Sequence, residues 1–267
     1  MSADSTMQTI KIAVGVCFVC SILVCTAAVG LESKQTANKT LDKIENILKA
    51  GDLYKAGIDP MQVYQDRIKS EFIDLKSGKV LTKDQYNEMI NPKDFDIKKA
   101  AMSDEYGVAI DPGNDFAGIK RRPKYMQIYE VMKNDKIDEY IFPVYGKGLW
   151  STMYGFLAIS NDLETIEGIT FYEHGETPGL GGEIDNPKWQ AIWKGKRAFN
   201  DQGQVIIEVI KGKVDPSSPA ADHQIDGLSG STLTTRGVDN TVKYWLSDQG
   251  YGTYIEKLRK DKANEDV

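Results

Sequence analysis

From Ile12 to Leu31 the chain runs for twenty residues without a charged side chain, about the length a helix needs to cross a bilayer. This predicts a membrane span. Within it Ala13, Cys17, Ser21 and Cys25 recur every four residues, a small-residue stripe of the kind that lets transmembrane helices approach closely. A cleaved leader would have a shorter apolar core and a small-residue exit, for which Ala27 and Ala28 stand in place, and a lipid-modified Cys25 would follow a small residue rather than Val24. After the span, Leu41, Ile44, Ile47 and Leu48 keep helical spacing up to Gly51 and predict an amphipathic stalk. Apolar residues 72–75 and 80–81 flank Ser77-Gly78 as a hairpin would, whereas residues 83–135 are polar, punctuated by Pro92, Pro112 and Pro123, and show no clear period.

A denser β pattern occupies residues 140–145, 151–160 and 165–172, broken at Gly146-Lys147-Gly148 and Asn161-Asp162, and predicts three neighbouring antiparallel strands. A short helix over residues 186–193, a strand over 205–210 and helices to about Lys260 complete the pattern. In the first of those helices Val238, Val242, Trp245 and Leu246 share one apolar stripe. Strands followed by helices predict an α+β fold. The organisation expected is an N-terminus (1–11), a span (12–31), a helical stalk (32–57), an α+β segment (58–136), a second α+β domain (137–260) and a charged, solvated tail (261–267).

Charge sharpens this picture. The first 31 residues carry only Asp4 and Lys11, so the net charge of −6 belongs to residues 32–267, and an acidic domain is a poor nucleic-acid binder. Cys17, Cys20 and Cys25 are the only cysteines, which removes disulfides and thiolate-held metals from the rest of the chain. Lys34, Lys39, Lys43 and Lys49 follow the span while Lys11 precedes it, a count that by itself favours a cytoplasmic C-terminal part.

Two stretches carry candidate chemistry. In Asp226-Gly227-Leu228-Ser229-Gly230-Ser231-Thr232-Leu233-Thr234-Thr235, hydroxylated residues lead into a helix, and a helix N-terminus attracts phosphate; a plain Ser/Thr cap is the alternative. In His174-Gly175-Glu176-Thr177-Pro178-Gly179-Leu180-Gly181-Gly182, Pro-Gly sets a tight turn and glycines let backbone approach a flat ligand; a simple glycine turn is the alternative here. His174, Glu176 and His223 lack a metal-ligand spacing. There is no phosphate-binding G-x-x-x-x-G-K-[ST], no dinucleotide fingerprint and no G-x-S-x-G elbow, so direct NADH or ATP binding and hydrolysis have no motif behind them.

A single-pass anchor, a β-rich segment ending in Glu-Thr-Pro-Gly-Leu-Gly, and Asp-Gly-Leu-Ser-Gly-Ser-Thr before a helix together resemble the C subunits of Na+-translocating NADH:quinone oxidoreductases. The resemblance covers nearly the whole chain. It implies FMN joined by a phosphoester to Thr232, the last residue of a motif Asp-x-x-(Ser/Thr)-Gly-Ala-Thr in which Ser231 here replaces Ala. It also implies a flavin transferase that installs the group, a flavin domain on the periplasmic side of the inner membrane, and Glu176, Thr177, Gly179 and Leu180 against the flavin ring. Trp150 and Ser151 are expected at the ring's border, with Asp226, Ser229, Gly230, Ser231 and Thr235 around the attachment. The implied role is one electron relay step in a membrane assembly of six subunits, from a membrane iron centre to the FMN of the B subunit, with no activity of its own on NADH or quinone. The G subunit of the related Rnf complex shares both motifs but is more compact than residues 60–137 suggest. A flavin-free extracytoplasmic binding module is the reading from a different class.

Overall fold

A computed structural model describes residues 3–265, with side chains from Thr6 to Asn264. Residues 1–2 of the expected N-terminus and 266–267 of the expected tail lie outside it. The chain divides into two compact units, residues 1–43 and 44–267. Helix α1 (Ala3–Ala50) spans the whole predicted membrane segment and continues to Ala50 without a break. Its apolar side chains from Ile10 to Leu31 are exposed, and this helix is long and apolar enough to cross a membrane. The stalk expected to reach residue 57 ends seven residues earlier, because the backbone turns at Gly51 and at Asp52, whose φ is 52°. Ile44, Ile47, Leu48 and Ala50 are buried in the second unit.

In that unit Asp59 caps α2 (Pro60–Arg67) by accepting from the Met61 N–H, with Pro60 in the first helical position where its missing donor costs nothing. Strands β1 (Ile68–Asp74) and β2 (Lys79–Val80) form the expected hairpin. The polar stretch then supplies α3 (Ile97–Met102), the short pair β3 (Gly107–Ala109) and β4 (Arg121–Pro123), and β5 (Tyr125–Lys133). After it come β6 (Lys136–Lys147), β7 (Thr152–Ser160) and β8 (Ile166–Glu173). One antiparallel sheet in the order β2-β1-β5-β6-β7-β8 contains all of these but β3 and β4. The expected border at 136/137 therefore falls one residue into β6, just past the β5–β6 turn at Asn134 and Asp135, which both take positive φ as a tight hairpin turn requires.

The remaining elements are α4 (Pro187–Ala191), β9 (Glu208–Val209), β10 (Gln224–Ile225), α5 (Thr232–Leu246) and α6 (Gly252–Glu265). The strand expected over 205–210 shrinks to β9, paired in parallel with β10 outside the main sheet. The tail expected from residue 261 is helical, the last turn of α6; Asp261, Ala263 and Asn264 are exposed as expected, while Lys262 donates to Asn161. Both faces of the sheet are covered. Tyr140, Phe142, Val144, Leu157 and Ile159 point to the side of α5 and α6, while Ile141, Phe156 and Ala158 alternate to the side of Ile47 and Ala50. The α+β class holds.

Candidate functional site

Helix α5 carries the first stretch to one end of the sheet. Val238, Val242, Trp245 and Leu246 are each at most 1% exposed, and the Trp245 indole donates to the Tyr145 carbonyl at 2.7 Å, so the stripe read from the sequence is what pins the helix to β6. Gly237 permits close contact: a Cβ there would sit 2.5 Å from the Lys147 carbonyl oxygen. The helix begins at Thr232 after Gly230, whose φ of +75° is a conformation glycine adopts freely. Ser231 takes the cap position, yet its side chain makes no capping bond. The Thr235 N–H reaches the Ser231 carbonyl at 2.9 Å, but among the described residues the N–H groups of Thr232, Leu233 and Thr234 have no acceptor. The capped-helix alternative would have supplied one.

The hydroxyls separate by burial. Ser231 is buried, Thr234 is buried against Glu176, and Thr235 is buried while accepting from the Leu228 N–H at 3.0 Å. Ser229 and Thr232 are exposed. Asp226 lies outside this end: its carboxylate accepts from the Val214 N–H and its carbonyl from the Trp189 indole, both at 2.8 Å, which ties the loop to α4.

Glu176 joins the second stretch to the first. Its carboxylate accepts from the Thr234 hydroxyl at 2.5 Å, from the Trp150 N–H at 2.9 Å and from the Leu149 and Ser151 N–H groups at 3.2 and 3.4 Å. Burial alone would raise this carboxyl, but the Thr234 hydroxyl and then those backbone donors outweigh it and hold it below the ordinary carboxylate value. Glycine makes room for it. A Cβ at Gly148 would lie 2.5 Å from Glu176 Oε1, and one at Gly181 would lie 2.9 Å from Oε2. His174 steadies the turn, with Nδ1 accepting from the Glu176 N–H at 3.1 Å and Nε2 against the Asp185 carboxylate at 2.6 Å. His223 lies elsewhere, near the Arg197 carbonyl, and the described residues hold no group of side chains fit for a metal ion.

Thr177, Gly179 and Leu180 are exposed on the turn, Gly179 with φ +74° and open space around it; a Cβ at Gly230 would lie 3.3 Å from the Leu180 side chain. Trp150 is 66% exposed, and Leu149, Leu180 and Leu233 are each more than two-fifths exposed, an apolar rim on the two stretches that Glu176 joins. Ser151 faces a cavity of about 400 Å³ shared with Lys98, Tyr154 and His174. A larger hollow of about 580 Å³ between residues 199–205 and α6 shares no residue with this end of the molecule. Sequence reasoning missed Thr234, Leu149, Leu233, Gly148 and Gly237. For Thr234 the signal was partial, since two residues along a helix reverse the face and so set Thr232 and Thr234 on opposite sides, but which of them is buried depends on Glu176.

This end can hold an anion at the open N–H groups of α5, beside an exposed hydroxyl and an apolar rim suited to a flat ring. Those donors and that rim fit FMN. Residues 148–247 match the family model of the FMN-binding domain. Over the full length the chain is 44% identical to the C subunit of the Na(+)-translocating NADH-quinone reductase of Pseudomonas aeruginosa, covering 97% of this chain and 98% of that protein. Its counterpart from Yersinia pestis is 43% identical, with 96% and 94% covered. Among solved structures, Shewanella oneidensis NqrC superposes with a TM-score of 0.74 at 33% identity, covering 84% of this chain and 99% of that one. The C subunit of the Na(+)-translocating NADH-quinone reductase from Parabacteroides distasonis gives 0.64 at 27%, with 84% and 96% covered.

Proposed function

The chain belongs to the family of C subunits of Na+-translocating NADH-quinone reductases, and we propose that it serves there as a membrane-anchored electron carrier with FMN esterified to Thr232. The observation that carries this reading is the start of α5: open N–H groups on Thr232, Leu233 and Thr234, no capping side chain, and the Thr232 hydroxyl exposed among them. Of the hydroxyls on the helix itself, Thr234 and Thr235 are already spent on Glu176 and Leu228, and the neighbouring hydroxyl of Ser231, which is buried, does not compete on access.

Bound flavin would supply the one- and two-electron chemistry that no side chain here offers. The protein's own part is to hold the phosphoryl group on the open N–H groups, to border the ring with Trp150, Ser151, Thr177, Gly179 and Leu180, and to keep Ser229 and Gly230 in the turn that aims Thr232 outward. Glu176 links these pieces from below and Asp226 ties the loop to α4. With the residues before Ile12 on the cytoplasmic side and the flavin domain on the periplasmic side, the protein performs one relay step between a membrane iron centre and the B subunit. A flavin transferase must install the group. The chain lacks a dinucleotide fingerprint, which supports its having no turnover with NADH by itself.

Peptide mass spectrometry of the full chain co-expressed with its flavin transferase tests this reading. Wild type should show FMN less one water on the Thr232 peptide, and Thr232→Ala should show none. Absence of the adduct from wild type, with the transferase active on another substrate, would overturn it.

A further inference from the structure

Arg236 stands one helical turn beyond Thr232, on the same exposed side of α5. Residues four apart on a helix hold their Cβ atoms about 5–6 Å apart, within easy span of an arginine side chain. Among the described residues Arg236 has no hydrogen bond and no ion pair. The carboxylate best placed to take it, Asp239 three residues on, is engaged by the Lys243 ammonium at 2.9 Å and by the Val209 N–H at 2.8 Å. Glu176 lies on the opposite face of α5 with Thr234, and its oxygens are filled by Thr234 and the backbone of residues 149–151.

The positive end of the α5 dipole has open N–H groups, no acidic residue in its first turn and no cap, so it favours an anion at Thr232. Arg236, one turn further along the same exposed side, adds a second positive group. We infer that Arg236 is a positioning residue for the phosphodiester at Thr232, pairing with it along the helix as an arginine pairs with a phosphothreonine four residues before it. The guanidinium fork meets two phosphate oxygens, which the backbone N–H groups alone could orient only from the helix end. The flavin would then be held at its phosphate from two directions and its ring confined over the apolar rim.

This inference rests on esterification at Thr232, and the experiment separates the two. The full chain is purified in detergent from cells with and without the flavin transferase, as wild type, Arg236→Gln and Arg236→Lys. Mass spectrometry first establishes which preparations carry the adduct, and thermal unfolding is then followed at low and high salt. Esterification should raise the melting temperature of wild type by an increment that shrinks with salt. In Arg236→Gln the salt-sensitive part of that increment should be lost, while Arg236→Lys keeps part of it. Without flavin, Arg236→Gln should melt close to wild type, because an exposed arginine without an ion pair contributes little to stability. Equal increments with equal salt dependence in wild type and Arg236→Gln would overturn the pairing, whereas a wild type without adduct would overturn the flavin reading itself.

Discussion

Thr232 and Thr234 sit two residues apart on one helix and meet opposite environments. A step of two residues turns the side chain to the far side of the helix, so Thr232 looks outward while Thr234 is 1% exposed and donates to Glu176. Replacing Thr234 with Val preserves shape but removes one donor from a buried carboxylate. Thr234→Val should destabilise the chain by about 1–3 kcal/mol in urea unfolding, and should lower flavin occupancy because residues 149–151 and the 176–181 turn hang on the same carboxylate. An unchanged unfolding midpoint would show that the backbone donors suffice. At this scale the hydroxyl cluster was legible in the sequence, but its division into exposed and buried members was not, since that depends on a carboxylate 58 residues away.

Among the elements, α5 and the strands β6 to β8 were readable because their period and their burial coincide. Strand β5 was not. Its Gln127 and Glu130 break the apolar run, yet both are buried, Gln127 donating to the Pro92 carbonyl at 3.0 Å and Glu130 pairing with Lys69 at 3.3 Å. Such partners are invisible to a local pattern. In α1 every side chain from Thr6 to Asp42 is exposed, the stripe of Ala13, Cys17, Ser21 and Cys25 included, so the docking of that stripe on helices of other subunits rests on its small residues alone. Ser21→Leu should weaken co-purification of the chain with the rest of the complex while leaving its flavin content unchanged. Full recovery of the complex would show that the stripe faces lipid.

For the molecule as a whole, stability should depend on pH through Glu139 on β6. Its Oε2 is buried without a hydrogen-bond partner, close to Gly51 just past the end of α1. Burial first, then the charges of Glu167 and Asp138, push its carboxyl up to about 8 despite the opposing pull of Lys194. The folded state thus holds a proton that the unfolded chain releases at about 4.5. The resulting stabilisation is complete below that lower value and is lost progressively as pH rises towards about 8. The melting temperature should fall across this window, and Glu139→Gln should flatten the fall. An identical pH profile in the variant would assign the dependence to other groups.

The sequence by itself determined the long apolar helix, the α+β order of elements, the antiparallel strands β6 to β8, the stripe that seats α5, and the two glycine- and hydroxyl-rich stretches. These follow from period and turn chemistry, which act between residues a few positions apart. Tertiary structure alone decided that β1, β2 and β5 join the same sheet as β6 to β8, that Glu176 binds Thr234 and the 149–151 backbone into one hub, and that the start of α5 is left uncapped with Thr232 facing outward. The first two turn on pairing buried polar groups across distant parts of the chain, because an unpaired polar group in the interior costs more than local propensity can return, and the third on which hydroxyls those pairings use up.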